Sequence, residues 1–274
     1  MADIPLDQID DYNNNKRGMA CLWKNTITGL SASSEVDGYP VENVLDEHPK
    51  KIWKSVETGK AVTEFYVSAG SNALAIFGTN AHKVRVVITN PNAIEWETDV
   101  EWEPGVEWES VDFVGAFEYE LTQQGHTYAL WIDFPPLIVG MKISIEYRTL
   151  NYDQIEVGIL RAGRRVDFIN NPLRGLTESL IDYSITKELS NGAIYVKKRD
   201  IVRNFSGQIF VDREPYFYNF LYDVSREIGL VPAAWKITDM NLCRWIVFGQ
   251  LAMPSGSHLY TYNSTISFNI KEVI

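Results

Sequence analysis

Alternation of apolar and polar residues is the feature that most limits the fold of this 274-residue chain. Residues 141–148 alternate between the apolar Met141, Ile143, Ile145 and Tyr147 and the polar Lys142, Ser144, Glu146 and Arg148. A period of two residues is typical of a strand with one buried face. Further strand patterns, separated by turn residues, lie at 61–68, 74–78, 83–89, 111–121 and 127–134. Helical periodicity is almost absent between 19 and 148, so the sequence predicts an all-β sandwich there.

The second half combines further strand patterns with one helix. Phe217, Phe220, Leu221, Val224 and Ile228 recur at three- and four-residue spacing. Pro215 precedes this run and Gly229 follows it, which predicts that the longest helix spans 215–229. Residues 171–186 are predicted to be an irregular connection, and strands are predicted at 156–162, 164–168, 193–198, 205–212, 233–236, 244–251 and 262–273.

Three regions follow from these patterns. Residues 1–18 are polar and rich in Asp and Asn, which is typical of an N-terminal arm that frays or lies on a neighbouring subunit. Residues 19–150 are expected to form the sandwich, and 151–274 a β-rich domain with one main helix. The predicted fold class is therefore mainly β.

The segment 31–46 has an order that composition alone does not explain. Its serines Ser31, Ser33 and Ser34 lead to a turn at Asp37-Gly38, and Tyr39-Pro40 then forces an extended residue before the proline. Val41, Val44 and Leu45 follow with a helix-like spacing, and Trp53 comes soon after. Ala32-Ser33-Ser34, residues 40–46 and Trp53 together resemble the opening of the discoidin, or galactose-binding-like, family. The resemblance implies a jelly-roll β-sandwich in which Trp53 is buried under a loop and a helical turn.

The second half resembles tail proteins of bacteriophages. The resemblance rests on the order of its elements, on Phe248-Gly249-Gln250-Leu251, and on Ser267-Phe268-Asn269-Ile270-Lys271-Glu272-Val273. It implies a non-catalytic structural component of the virion, at the tail tip or baseplate, that assembles with other tail proteins as a minor or distal tail protein. The alternative is a carbohydrate-binding module or adhesin outside a virus, and a glycan-cleaving enzyme is a third hypothesis.

Charge and leader analysis limit the partners and the location. A net charge of −11 argues against a general nucleic-acid binder, which needs a basic face. The N-terminus lacks the basic and apolar regions of a signal peptide, and no apolar run reaches the length of a membrane span. We therefore expect synthesis in the host cytoplasm, no membrane insertion, and a final location in the virion.

The residues that usually carry chemistry are scattered. His48, His82, His126 and His258 stand far apart, and no metal-binding, nucleophile-elbow or phosphate-loop motif is present. Cys21 and Cys243 are expected to be two buried free thiols, although their spacing does not rule out a disulfide. The sequence predicts no enzyme activity and no cofactor, and it leaves calcium open.

An acidic and aromatic segment is the candidate contact site. The triplet Glu-Trp-Glu recurs at 95, 101 and 107, and the residues singled out for contact with a glycan or a partner are Trp96, Trp102, Trp108, Glu101, Glu103, Glu107 and Glu109. Three interpretations stay open: a solvated hairpin with core tryptophans, sugar stacking on exposed indoles, and docking onto a basic partner surface.

Basic residues concentrate in the second half. Arg161, Arg164, Arg165 and Arg174 are followed by Lys197, Lys198, Arg199 and Arg203. Opposite charges in the two halves would suit head-to-tail packing of identical subunits. We therefore expect a homo-oligomer in a ring, with two independently solvated faces as the alternative.

Overall fold

A computed structural model of the chain describes residues 18–90, 113–121, 128–150, 153–168, 175–188, 194–211, 225–238, 245–260 and 263–274. The described residues fall into two units, each with its own buried core. The first contains those within 24–46 and 51–165, and the second those within 18–23, 47–50 and 166–274. The mainly β fold class is confirmed.

Strand β1 (Ala20–Leu22) belongs to the second unit, and the first unit begins at β2. The strands described in the first unit are β2 (Thr28–Ala32), β3 (Trp53–Thr58), β4 (Lys60–Tyr66), β5 (Ala73–Thr79), β6 (Lys83–Thr89), β7 (Phe113–Glu120), β8 (Tyr128–Asp133), β9 (Lys142–Arg148), β10 (Gln154–Val157) and β11 (Ile159–Gly163). They form a five-stranded sheet β2-β4-β9-β6-β7, a three-stranded sheet β11-β5-β8 and a pair β10-β3.

The two larger sheets enclose one core. Phe65 and Ile145 of the five-stranded sheet share a buried cluster with Ile76 and Ile132 of the three-stranded sheet, so the sheets pack face to face. The outer side of β9 is polar, and its Lys142 Nζ lies 2.9 Å from Glu64 Oε2 on β4. The first unit is therefore the β-sandwich that the sequence predicted.

Residues 31–46 and Trp53 pack against the core of this sandwich, as expected. A single 3-10 turn, Val41–Leu45, buries Val41 and Val44. The guanidinium of Arg161 donates to the carbonyl oxygens of Leu45 at 2.7 Å and Asp46 at 3.3 Å, which satisfies carbonyls at the end of the turn. Trp53 is fully buried, and its indole N–H donates to the Ser34 carbonyl at 3.1 Å.

The second unit is built on one large antiparallel sheet. Its order is β12-β1-β17-β18-β20-β16-β13, and β19 pairs with β20 at one side. The new strands are β12 (Val166–Asp167), β13 (Thr177–Asp182), β14 (Ile185–Glu188), β15 (Ile194–Lys197), β16 (Ile201–Val211), β17 (Ala233–Lys236), β18 (Ile246–Leu251), β19 (Ser255–Tyr260) and β20 (Asn263–Glu272). Strands β14 and β15 form a separate hairpin.

Aromatic and branched residues fill the core of the second unit. Phe168 stacks on Trp235 with ring centroids 6.2 Å apart, and the Trp235 indole N–H donates to the Gly249 carbonyl at 3.0 Å. Ile266 and Ile270 of β20 are fully buried, as the alternation of that strand predicts. Gly249 has no room for a side chain, because an added Cβ would lie 2.5 Å from the Lys271 carbonyl oxygen.

Two expectations for the second half have different outcomes. The helix predicted at 215–229 is described only at its end, where Ser225–Ile228 forms α1 and Gly229 follows at φ +55°; residues 215–224 lie outside the described residues. The irregular connection predicted at 171–186 is wrong, because it contains β13 and the start of β14. Most residues of both strands are exposed, so they lack the alternation by which a half-buried strand is recognised.

Candidate functional site

The residues predicted as contacts cannot be placed. Trp96, Trp102, Trp108, Glu101, Glu103, Glu107 and Glu109 all lie in 91–112, outside the described residues. The described parts of the chain instead present a surface that contains the basic residues 197–199 and 203 noted above, and whose strands β13 and β14 the sequence did not predict. We call it the ribbon and define it as residues 180–188 together with 194–203.

The ribbon is a two-stranded extension of the large sheet. Strand β16 pairs with β20 only from Asn204 to Val211, whereas its pairing with β13 continues to Ile201 opposite Asp182. Beyond that point β14 and β15 pair with each other, from Ile185 opposite Lys197 to Glu188 opposite Ile194. Among the described residues, neither β14 nor β15 has a second neighbouring strand.

Large apolar side chains lie exposed along the ribbon. Ile194 is 67% exposed and Val196 51%. Since directly opposed residues of an antiparallel pair share a face, Ile194 and Val196 lie on one face with Glu188 and Thr186, and Ile185 and Tyr195 lie on the other. The remaining exposed apolar residues of the ribbon are Leu180, Tyr183 and Ile201. Both faces therefore present apolar surface to solvent.

The base of the ribbon is fixed by polar contacts. The Arg203 guanidinium is paired with the Glu272 carboxylate, with Nη2 and Oε1 2.8 Å apart, and the backbone N–H of Arg203 donates to Oε2 of the same carboxylate at 3.0 Å. Val202, the residue before Arg203 on β16, is buried. The ribbon thus leaves the sheet from an anchored position.

A hydrogen-bonded joint lies between the base and the hairpin. The backbone N–H of Ser184 donates to Asp182 Oδ1 at 2.7 Å, and the backbone N–H of Arg199 donates to the Ser184 hydroxyl at 3.0 Å. Hydrogen bonds from the Ser184 side chain and backbone lower the pKa of the Asp182 carboxyl. The Lys271 ammonium lies 4.7 Å from the centre of the Tyr183 ring, which adds a contact between the joint and β20.

The outer part of the ribbon is basic. We define the outer ribbon as residues 185–199, whose charged residues are the four cations Lys187, Lys197, Lys198 and Arg199 and one carboxylate, Glu188. All five are exposed, and none of them forms an ion pair with another described residue. The outer ribbon therefore combines exposed apolar side chains with uncompensated positive charge.

A cavity of about 400 Å³ lies on one face of the same sheet. Its side chains carry no charge, and its polar lining consists of Thr177, Ser206, Gln208, Ser255, Ser267 and Asn269. Such a surface can donate and accept hydrogen bonds. The aromatic residue at the cavity, Phe268, is buried in the core, so it offers no ring face to a ligand.

No group of three or more His, Cys, Asp and Glu side chains in the described parts of the chain could hold a metal ion. His126 lies outside the described residues. Cys21 is free and buried, and burial raises the pKa of its thiol well above the usual value, with the nearby Asp167 adding to the shift. Cys243 lies outside the described residues. No described helix is long and apolar enough to cross a membrane.

No protein-family model matches the chain, and no curated protein matches it. Three of the solved structures that are similar to the chain each match 51% of it. A chain from reduced XRCC1 bound to the DNA polymerase β catalytic domain has 10% identity and a TM-score of 0.36 over 97% of its length. A pectin-binding carbohydrate-binding module has 15% sequence identity and a TM-score of 0.32 over 91% of its length. A chitosan-binding module from a chitosanase/glucanase of Paenibacillus sp. IK-5 has 12% sequence identity and a TM-score of 0.35 over 99% of its length. Likeness at this level carries no argument about function.

One signal in the sequence could have located the ribbon. Asn191-Gly192 lies between a run ending at Glu188 and the β-branched and aromatic run Ile194-Tyr195-Val196. Asn-Gly between two such runs is a strong hairpin signal. The strand predicted at 193–198 was given no partner before Asn191, and β14 was therefore missed.

Proposed function

We propose that this chain is a non-catalytic subunit of a larger protein assembly and that it joins the assembly through the ribbon. The observation that carries the proposal is the hairpin β14–β15, which continues from β13 and β16 beyond the large sheet and has apolar side chains exposed on both faces. Exposed apolar side chains are unfavourable in water for a chain that works alone, whereas a chain that packs against a partner can bury them.

Three physical arguments support this function. A two-stranded hairpin alone in water is at best marginally stable, and further strands or a packing surface are needed to support it. Its unpaired edges also offer backbone donors and acceptors to another chain. An exposed apolar surface of several neighbouring residues is typical of a site of protein–protein contact. A partner that covered the ribbon would pack against its apolar side chains and form hydrogen bonds with its strand edges.

Co-purification tests this proposal. The tagged chain is expressed together with the products of the genes that flank its own, and it is compared with the double variant Ile194→Ser, Val196→Ser. We expect the wild-type chain to be recovered as an oligomer or bound to one of these products, and the variant to lose that association. A wild-type chain that is strictly monomeric and joins none of these products would contradict the proposal.

A matched control separates docking from general loss of surface apolarity. Ile138 and Val139 are neighbouring exposed apolar residues in the first unit, so the variant Ile138→Ser, Val139→Ser makes the same chemical change elsewhere. We expect it to associate as the wild-type chain does. Equal loss in both double variants would remove the ribbon from consideration.

The tail tip or baseplate of a bacteriophage is the assembly that we propose for this subunit. This setting rests on the sequence resemblance of the second half, through Phe248-Gly249-Gln250-Leu251 and residues 267–273. The location in the virion and the other tail proteins as partners rest on the same resemblance. Flanking genes that encode tail proteins would support the setting, and flanking genes of unrelated function would count against it.

Carbohydrate binding by the first unit is the alternative function. Two of the solved structures reported above are described as pectin-binding and chitosan-binding modules, and those descriptions belong to those proteins. If the first unit binds glycans through its acidic and aromatic segment, Trp102→Ala should abolish capture on a glycan array and leave assembly intact. Assembly lost in the ribbon variant, with no glycan captured by the wild-type chain, would favour the subunit role.

A further inference from the structure

We infer that the partner of the ribbon is a second copy of this chain and that the contact is heterologous, with the ribbon of one copy lying on a different surface of the next. This inference rests on the proposed function, because it names the partner for the same ribbon. Three observations carry it: the charge of the outer ribbon, the opposite charge of the chain as a whole, and the apolar residues among the cations.

The charge of the outer ribbon is opposite to that of the rest of the chain. Residues 185–199 contain four cations and one carboxylate, within a chain whose net charge is −11. Everything outside that segment is therefore more acidic than the whole. Since no described residue forms an ion pair with Lys187, Lys197, Lys198 or Arg199, these cations are available to an acidic surface. Such complementarity favours encounter and fixes the orientation of the partner.

The same charges disfavour the symmetric alternative, in which two ribbons pair edge to edge. Pairing the outer parts of two ribbons, residues 185–199 of each copy, would bring eight cations together against two carboxylates. At contact distance these charges lie closer than the Debye length of about 8 Å at physiological salt, so solvent ions would screen the repulsion only in part. A contact between the ribbon and another surface of the second copy avoids this repulsion.

The apolar residues distinguish a protein partner from a polyanion. Ile194 and Val196 share one face of the hairpin, Ile185 and Tyr195 share the other, and all four are exposed. A phosphate backbone would contact the cations and leave most of these side chains in water. The net negative charge of the chain would also oppose its approach to a nucleic acid. A second copy can cover the apolar residues and neutralise the cations together.

A heterologous contact has a geometric consequence. Because the ribbon and the surface it meets differ, every copy that uses its ribbon still offers its receiving surface. Repeating such a contact closes into a ring if the rotation between copies allows it and otherwise gives an open filament. A copy with a defective ribbon should therefore still accept the ribbon of a normal copy.

Mixing tagged and untagged chains tests this inference. The tagged double variant Ile194→Ser, Val196→Ser is first examined alone by sedimentation, beside wild type and the control Ile138→Ser, Val139→Ser. We expect wild type and control to associate, and the variant to associate at least about tenfold more weakly. Untagged wild-type chain is then added to the tagged variant, and we expect it to be retained, because the variant keeps its receiving surface. Circular dichroism and melting curves check that the variants are folded.

Each other outcome is decisive. A wild-type chain that stays monomeric at roughly 100 μM overturns the inference, and if it still joins a flanking gene product through its ribbon, the proposed function survives. A variant that associates as strongly as wild type overturns both. Ribbon-dependent association from which the tagged variant is excluded would assign symmetric ribbon pairing and overturn the heterologous contact. A monomeric chain whose ribbon binds a DNA duplex or anionic vesicles would also overturn the inference.

Charge variants give a second readout. We expect the variant Lys197→Gln, Lys198→Gln to associate more weakly than wild type at low salt, and we expect the difference to shrink as salt rises. Under symmetric ribbon pairing the same change would relieve repulsion and strengthen association. The sign of the effect therefore tests the heterologous contact independently of the mixing experiment.

Discussion

The carboxylate of Glu272 holds the guanidinium of Arg203 at the point where β16 leaves the large sheet. Arg203 Nε donates to Glu272 Oε1 at 3.1 Å, and Nη2 donates to the same oxygen at 2.8 Å. Both side chains are largely shielded from solvent. The ribbon therefore starts from a paired charge, and removing one partner would leave the other incompletely compensated.

The Arg203–Glu272 pair should matter more than an exposed ion pair nearby. We expect Glu272→Gln to lower the free energy of unfolding by roughly 1–3 kcal/mol, because it weakens several hydrogen bonds to a charged, partly buried group. Lys50→Gln is the matched control, since it removes the exposed pair between Lys50 and Asp200, and we expect a loss of about 0–1 kcal/mol. Urea unfolding measures both, and equal losses would contradict the prediction.

Trp53 should be the residue of the segment 31–53 on which stability depends most. It is fully buried, and its N–H satisfies the Ser34 carbonyl. Trp53→Ala should cost roughly 3–5 kcal/mol through the cavity it leaves. Trp53→Phe should cost less, since it keeps most of the apolar volume and loses the hydrogen bond. Val56→Ala, at an exposed position of the same strand, should stay within about 0.5 kcal/mol. Denaturant unfolding would refute the prediction if Trp53→Ala matched Val56→Ala.

Acid should remove the contribution of Glu146 to stability. Burial alone would raise the pKa of the Glu146 carboxyl, but hydrogen bonds from Lys60 and Arg148 and the charges of both outweigh burial and lower it. A carboxyl with a folded pKa below its unfolded value stabilises the fold above the unfolded pKa, and this contribution is lost as the pH falls through the folded pKa.

The difference in unfolding free energy between wild type and Glu146→Gln should therefore be largest near neutral pH and shrink in acid. We expect no more than about 1 kcal/mol at pH 7, because the partners are partly exposed. Unfolding measured across the acid range tests the direction. A difference that grows as the pH falls would show that the sign is wrong.

Cys21 should be unreactive in the folded protein. Its thiol is buried in strand β1 and its pKa is raised, so the reactive thiolate is scarce and shielded. In a Cys243→Ser background we expect reaction with a thiol reagent only at the rate of local or global opening. Addition of denaturant should restore rapid reaction. Rapid labelling of the native variant would contradict the buried position of Cys21.

The half-buried strands were the part of the fold that the sequence revealed. The pattern at 83–89 predicts β6 with the bounds found. The strand predicted at 233–236 also has the bounds of β17, although all four of its residues are buried. In the sandwich of the first unit, Ile143, Ile145 and Tyr147 alternate with polar residues because one side of β9 meets the core and the other meets water. Because alternation reflects the difference between a buried and a solvent-exposed face, it predicts strands that have one face of each kind.

Strands without that difference were missed or misjudged. Strand β3 buries Ser55, whose hydroxyl accepts a hydrogen bond from the Ile155 backbone N–H at 2.9 Å, and a buried serine does not look like core in a sequence. Strand β14 is exposed throughout, so it gives no apolar period. The pattern of apolar and polar residues could not show that the ribbon protrudes from the sheet, because this depends on where the pairing of β16 with β20 stops.

Strand β1 has a consequence for how the protein is made. Ala20 pairs with Asp167 on one side and with Lys236 on the other. Strand β1 therefore cannot complete its pairing until nearly the whole chain has been synthesised. Closing so long a loop is slow compared with pairing neighbouring strands. The sandwich, which lies between β1 and its partners in sequence, can mature first. A fragment beginning at residue 166 would lack the strand between β12 and β17. A short peptide containing residues 18–23 would supply that strand.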